Sequence, residues 1–257
     1  MYYRLVIFYR KKSYLLLLAI LNLCATTVNA QPTNPKFEDS NRYIIGLNTG
    51  SSWSYPGKTQ TFYSTPETER TYAAITAKNT LVNAELFLGI QKALTTFLQI
   101  QLGLAIAKTE KATLSGNIWD DADPEFNNYS YIYTVRHLYL GVKGKILGNP
   151  YLRVKPYVSS SFGFGFNQAS NFNNAPLECG VVAVPNFRGN TLAQFSYTLG
   201  AGLQYDLSKN WQIGLGYEFS DWGKSQLARA PQQTLGNGLT LHHLYTNGLS
   251  FNLTYLA

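Results

Sequence analysis

The residues of this sequence that could do chemistry are few. His137, His242 and His243 are its general-base candidates. Acyl transfer or hydrolysis needs such a histidine with a hydroxyl or carboxylate in reach. His137 is followed two positions on by Tyr139, and His242-His243 stand in Leu-His-His-Leu-Tyr-Thr-Asn-Gly, so neither place carries a nucleophile motif. The run Trp119-Asp120-Asp121-Ala122-Asp123-Pro124-Glu125 gathers carboxylates that could attract Ca²⁺. It lacks the ligand spacing and turn glycine of a calcium loop and reads as a solvated acidic loop. Asn128-Tyr129-Ser130 fits the glycosylation triplet, a three-residue match that carries no weight by itself. No catalytic residue, cofactor or metal is expected, and the chain is expected not to be an enzyme.

The strongest signal is periodic. Tyr43, Ile45 and Leu47 alternate with Ile44, Gly46 and Asn48, and Ala84, Leu86, Leu88 and Ile90 alternate with Asn83, Glu85, Phe87 and Gly89. The even positions Leu98 to Ile106 alternate with Gln99, Gln101, Gly103 and Ala105. Leu138, Leu140 and Val142 alternate with His137, Tyr139, Gly141 and Lys143, and Phe162, Phe164 and Phe166 with Ser161, Gly163 and Gly165. Leu199, Leu203 and Tyr205 oppose Thr198, Gly202 and Gln204. Leu215, Tyr217 and Phe219 oppose Gly214, Gly216 and Glu218, while Phe251 and Leu253 oppose Asn252 and Thr254. Period-two alternation marks strands. These segments are long enough to cross a bilayer at a tilt, and their polar sides are rich in Gly and Ser, as a narrow lumen requires. Tyr43, Trp53, Trp211 and Trp222 stand at segment ends, where interfacial aromatic girdles form. The pattern predicts an all-β fold, an eight-stranded antiparallel up-and-down transmembrane β-barrel over 43–257. Its lipid face takes Leu199, Leu203, Leu215, Tyr217, Phe251 and Leu253. Its lumen takes a polar network of Glu85, His137, Lys143, Arg153, Lys155 and Glu218, with Tyr139 and Tyr157, while the phase of Arg136 points outward.

Composition agrees. Only 14% of the 257 residues are charged and 14% are aromatic, against about 25% charged in soluble domains. Residues 1–30 read as a signal peptide: a basic start (Arg4, Arg10, Lys11, Lys12), the apolar run Tyr14 to Leu21, and small residues before a cleavage point between Ala30 and Gln31. Lipid attachment at Cys24 would want a small residue where Leu23 stands. Removing the four signal cations from 21 Lys+Arg leaves 17 against 14 Asp+Glu, a net of +3. Without a basic stripe, no nucleic-acid partner is expected. Cys179 is then the one remaining cysteine, an incidental loop thiol. Residues 31–42 read as a polar stub expected on the periplasmic side, and there is no sign of a peptidoglycan-binding module after the last strand.

Connections alternate between short turns (91–94, 147–151, 208–210) and long polar stretches (55–78, 110–129, 169–189, 224–243), which read as four external loops. Lys155-Pro156-Tyr157-Val158 with its following Gly-Phe alternation, Ile213 through Gly223, and the closing Leu249 through Ala257 resemble the opacity-protein-like family of eight-stranded outer-membrane barrels. In architecture that family is related to the transmembrane part of outer-membrane protein A. The resemblance covers 43–257 and implies a bacterial outer-membrane location. It implies contact with outer-membrane lipid and lipopolysaccharide, and engagement of the barrel-assembly machinery by the last strand. That machinery's signal usually ends in an aromatic, whereas here Ala257 ends the chain and Tyr255 is the nearest aromatic. It also implies a surface role in structure, recognition or adhesion, with a host or surface ligand met by the loops. A small pore and a lipid A-modifying enzyme are the alternatives.

Overall fold

The computed structural model describes residues 41–257 apart from 150, 179 and 181. The signal peptide, the Ala30–Gln31 cleavage point, almost all of the 31–42 stub and Cys179 lie outside the described residues. Thirteen strands are formed among them: β1 (Arg42–Ser54), β2 (Gln60–Thr65), β3 (Thr68–Ile75), β4 (Asn79–Ala93), β5 (Gln99–Thr109), β6 (Ala112–Asp120), β7 (Asn127–Leu147), β8 (Val154–Pro176), β9 (Asn190–Asp206), β10 (Trp211–Asp221), β11 (Ser225–Gln226), β12 (Thr240–Leu241) and β13 (Tyr245–Leu256).

Eight of them close a ring. In order around the wall they are β1, β4, β5, β7, β8, β9, β10 and β13, every neighbouring pair antiparallel. The seam joins the first strand to the last, from Ile44 opposite Leu256 to Trp53 opposite Asn247. Arg42 locks it at the short-turn end by donating to the carbonyls of Lys209 (2.6 Å) and Leu256 (3.0 Å). Closure pairs both edges of each of the eight ring strands, the condition a sheet must meet inside a bilayer. These eight strands contain the eight segments the alternation marks.

The wall carries its apolar side outward. Leu199, Leu203, Leu215, Tyr217, Phe251 and Leu253 are between 39% and 57% exposed in the isolated chain, while Glu218, Gln212 and Asn252, in the opposite phase, turn in. Arg136 is also exposed and outward.

The long stretches differ from the expected polar loops. Three of the four contain strands of their own, and the other, 169–189, begins with the end of β8. β6 continues β5 after a break at Glu110-Lys111 and pairs with the upper part of β7, Ala112 opposite Val135. β3 pairs with β6, and β2 with β3. With the upper part of β8 they extend the barrel wall into a sheet beyond the apolar band. In the 21-residue β7 the same backbone face stays inward throughout, yet its chemistry reverses. Leu138, Leu140 and Val142 are apolar and outward, whereas Tyr129, Tyr131, Tyr133 and Val135 are apolar and inward. The reversal at 135–138 is where the solvent outside the wall changes from hydrocarbon to water.

Trp222 also departs from expectation. It is 2% exposed and points inward rather than joining the girdle. Its indole donates to Thr246 Oγ1 at 2.8 Å, an anchor a lipid-facing position would not supply.

The two kinds of exposed apolar residue should respond differently to charge. Leu215 (49% exposed) faces the apolar band and Tyr63 (48%) faces outward on β2. Leu215→Arg should cost about 2–4 kcal/mol, the midplane value for such barrels. Tyr63→Arg should stay within about 0.5 kcal/mol, as on a watered surface. Urea midpoints of barrels folded into liposomes compare the two, and equal midpoints would place Leu215 off the lipid.

Candidate functional site

Two structures occupy the inside of the wall, one within the apolar band and one beyond it. The first is a polar plug. Lys143 Nζ lies 2.5 Å from Glu85 Oε1 and 3.9 Å from Glu218 Oε2. Asn48 Nδ2 also donates to Glu85 Oε1. Toward the short turns, Lys155 Nζ lies 2.5 Å from Asp206 Oδ2, and Gln212 donates to the other Asp206 oxygen at 2.8 Å. Gln204 donates to Gln212 and accepts from Lys145, whose ammonium sits 3.8 Å from the Tyr157 ring centroid. Gln101 joins the chain through Gln91 (2.8 Å) and Gln212 (3.4 Å). Lys143, Lys145 and Lys155 thus face Glu85, Glu218 and Asp206, with amides and phenols filling the space between.

The plug differs in membership from the sequence expectation. Glu85, Lys143, Lys155 and Glu218 are inside. Arg153 is not: it is exposed in the turn before β8, where its carbonyl accepts the Asp206 amide at 2.9 Å. The strand begins one residue later, so period-two counting back from Lys155 runs past its end. Lys145 and Asp206 were missed, although the inward phase of Lys143 and Gln204 already contains them, while Gln101 and Gln204 stand on the polar side of the alternation as expected. His137 is inside too, 1% exposed, hydrogen-bonded by Nδ1 to Asn167 Oδ1 and 4.2 Å from the Trp222 ring centroid. Gly165 makes room for this ring, since a Cβ there would collide with His137. The Trp222 carbonyl accepts from Asn167 (2.7 Å) and Ser196 (3.0 Å), so His137, Asn167 and Trp222 form a ceiling over the plug. The chain turns off that ceiling at Gly223, with φ +76, a conformation a side chain would strain.

Above the ceiling is a head with its own apolar core. Phe62 stacks on Tyr72 at 5.3 Å, Tyr131 on Phe172 at 5.8 Å, and Phe187 meets Phe172 edge-on at 4.9 Å. Val184, Leu227, Leu239, Leu241 and Leu244 complete the same buried cluster. All four long excursions therefore contribute to one core. A bulge in β8 helps: Asn171, at φ 57, and Phe172 together oppose Tyr133, turning Phe172 inward. The last excursion covers the open edge of the sheet, where Thr234 and Leu235 donate their amides to the Ser64 carbonyl at 3.0 and 3.1 Å.

Burial dominates the electrostatics of the head. It raises the Tyr72 hydroxyl from 10.0 to about 12 and pushes Tyr131 and Tyr133 up as well. The acidic run is structural here. Asp120 takes Arg70 Nε at 2.7 Å on one oxygen and Asn128 at 2.8 Å on the other. Asp123 caps the 3₁₀ turn Pro124–Phe126 through the Glu125 amide at 2.9 Å. At the rim, His243 Nδ1 lies 2.9 Å from Asp221 Oδ2 and its ring lies flat on Tyr245 at 5.2 Å. Among the described residues no hydroxyl or thiol is hydrogen-bonded to this pair.

The sequence matches the outer membrane protein beta-barrel domain family over residues 17–255. No curated protein matches it. Solved structures that resemble the fold include Neisserial surface protein A, at 9% identity and TM-score 0.41, covering 84% of this chain and 98% of that one. The outer membrane protease OmpT of Escherichia coli stands at 10% identity and TM-score 0.45, covering 88% and 99%. OprG of Pseudomonas aeruginosa stands at 11% and 0.42, covering 83% and 96%. With the family match spanning nearly the whole chain and the closed eight-stranded ring beneath it, this protein belongs to the outer membrane β-barrel family and resides in the bacterial outer membrane.

Proposed function

We propose that the protein is a non-enzymatic surface platform: the barrel anchors it, and the head, on the external side, presents a recognition surface to a host or neighbouring-cell ligand. One observation carries this reading. The four excursions share one buried core, so the outer face of the head is held in fixed shape rather than displayed as four separate loops. A preformed surface binds without an ordering cost. That outer face presents Tyr63 and Ile132 with Trp119 among Thr and Asn side chains. Cells carrying the protein should bind host-cell or extracellular-matrix surfaces more than cells lacking it. Replacing Tyr63, Trp119 and Ile132 by Ser should remove the excess while heat-modifiability, a sign of the folded barrel, persists. Adhesion independent of both the protein and the three substitutions would end this reading.

The interior argues against the pore alternative. Two cavities left beside the plug hold about 20 Å³ each, room for one water apiece rather than a file of ions. Purified protein should give no steady single-channel steps in planar bilayers. The plug should also be a strong stability element. Removing one partner of a buried ion pair typically costs about 3–5 kcal/mol, because the other charge is stranded. Lys143→Ala strands two carboxylates and should lower barrel stability by about that much. A loss below about 1 kcal/mol in urea unfolding would show that water already reaches Glu85 and Glu218.

The rigidity of the head has a pH signature. In the unfolded chain Tyr72 ionises near 10.0, but in the head only near about 12. The folded state holds the proton longer, so its stabilisation is complete below 10 and is lost as pH rises from 10 toward about 12. The near-ultraviolet circular dichroism of the stacked rings should fade in that window. Tyr72→Phe keeps the ring and removes the ionisation, so it should move the loss to higher pH; an unchanged midpoint would show that Tyr72 is not buried in the head.

A further inference from the structure

The outer face of the head has an uncommon makeup for a surface in water. Leu114, Ile118, Tyr131, Tyr133 and Phe172 are buried inward, so the alternate positions face out. Those outward positions run from Thr113 to Trp119 on β6, from Ser130 to Thr134 on β7 and from Ser170 to Ala175 on β8. Not one of them carries a charge. An ordinary watered surface is about 25–35% Lys, Arg, Asp and Glu. The acids of the head stand at its margin instead, Glu67 and Glu69 by the tip of the β2–β3 hairpin and Asp120 neutralised by Arg70.

Register brings four neutral groups of this face together. Asn117 stands directly opposite Ser130. Ser130 stands opposite Ala175, which puts Asn173 on its diagonal. Trp119 lies two residues along β6 from Asn117. Diagonal neighbours across a sheet are about 7–8 Å apart, and residues two apart on one strand about 7 Å. Among the described residues the side chains of Asn117, Ser130 and Asn173 have no hydrogen-bond partner, whereas the fold uses Asn128 and Asn174. Each free amide keeps two donors and an acceptor. Trp119 supplies the apolar member. Thr71 stands opposite it and also points outward, yet is only 3% exposed. Thr61 reaches Thr71 at 2.6 Å on one side, and the indole covers it from the other. A ring laid on the sheet in this way turns its other face to solvent, and among the described residues no other ring stacks on it.

This chemistry suits a sugar better than an anion or a protein. The C–H face of a pyranose ring carries slight positive charge and settles on the negative face of an indole. Its hydroxyls, donors and acceptors at once, match amides and serine. A sulfated or sialylated chain would bring charges that meet no cation on this face, and desolvating them unpaired is costly. A protein interface has a contiguous apolar core, whereas Trp119 and Ile132 stand singly among hydroxyls and amides.

We propose that the outer face of the head around Trp119, Asn117, Ser130 and Asn173 binds a neutral oligosaccharide, with Trp119 as the stacking platform and the amides and hydroxyl as its hydrogen-bonding groups. The inference rests on the reading of the head as a recognition surface and names its ligand class.

The folded, full mature protein in detergent, applied to immobilised neutral oligosaccharides of galactose, glucose, mannose and N-acetylglucosamine, tests it. Sulfated and sialylated forms of the same chains stand beside them. Neutral chains should bind, and the charged forms should bind more weakly. Against the best neutral chain Trp119→Ala should lower affinity about tenfold, the loss of one aromatic anchor. Trp119→Phe keeps a ring face and should recover most of it. Asn117→Ala/Asn173→Ala should lower affinity about fivefold while heat-modifiability persists. Glu67→Gln at the hairpin tip should change nothing. No binding to any neutral chain, preference for the charged forms, or full binding by Trp119→Ala would overturn the assignment. Host cells stripped of glycans by glycosidases separate it from the reading it rests on. Adhesion that survives stripping but is lost with the Tyr63, Trp119 and Ile132 substitutions would leave the platform standing and overturn the sugar.

Discussion

Everything in this molecule follows from closing eight strands on themselves. A ring of that size has an interior only wide enough for side chains. Closure at the β1–β13 seam removes the strand edges, but it also commits every inward residue to a space without bulk water. Charges placed there must meet within that space, and they do: Lys143 reaches Glu85 and Glu218, and Lys155 reaches Asp206. Lys145 has no carboxylate at that distance among the described residues and is held instead by Gln204 and the face of Tyr157. Glycines such as Gly216 make the packing possible, for a Cβ there would collide with the Tyr157 hydroxyl.

The same wall then continues out of the membrane. Lipid on the outside of the band requires an apolar outer face. Water outside the head requires a polar outer face and an apolar inner one. The chain meets this change in three ways. β7 keeps its backbone phase and swaps residue types, β5 breaks at Glu110-Lys111 before resuming as β6, and β8 shifts by one through its bulge at Asn171. Trp222 and His137 divide the two interiors, polar below and aromatic above.

This is also why the sequence was readable in the band and less so beyond it. All eight wall segments showed themselves, because one solvent acts along the whole of each and the alternation keeps a single sense. At Val135–Leu138 the sense reverses, so a count that tracks apolar residues stops although the strand goes on. The alternation Tyr129, Tyr131, Tyr133, Val135 was present and legible as a strand of opposite sign. Ion-pair partners were less accessible. Phase placed Glu85, Lys143 and Glu218 inside, but which of them meet depends on the stagger of the ring. Arg153 shows the other limit, since strand ends are set by turn geometry and not by periodicity. Trp222 read as a girdle residue because its position at a strand end is where such residues stand; only the fold of the last excursion turns it inward.

One feature of the head bears on how such a surface can change over generations. Loops that stand alone can be rewritten one at a time, by insertion or exchange, with no effect on their neighbours. Here Phe62 and Tyr72 from the first excursion, Ile118 and Tyr129 from the second, Phe172 and Phe187 from the third and Leu227 and Leu239 from the fourth share one interior. A length change in any of them moves the packing of the other three. The surface of the head can therefore vary cheaply only by substitution on its outer face, while its outline is inherited as a unit.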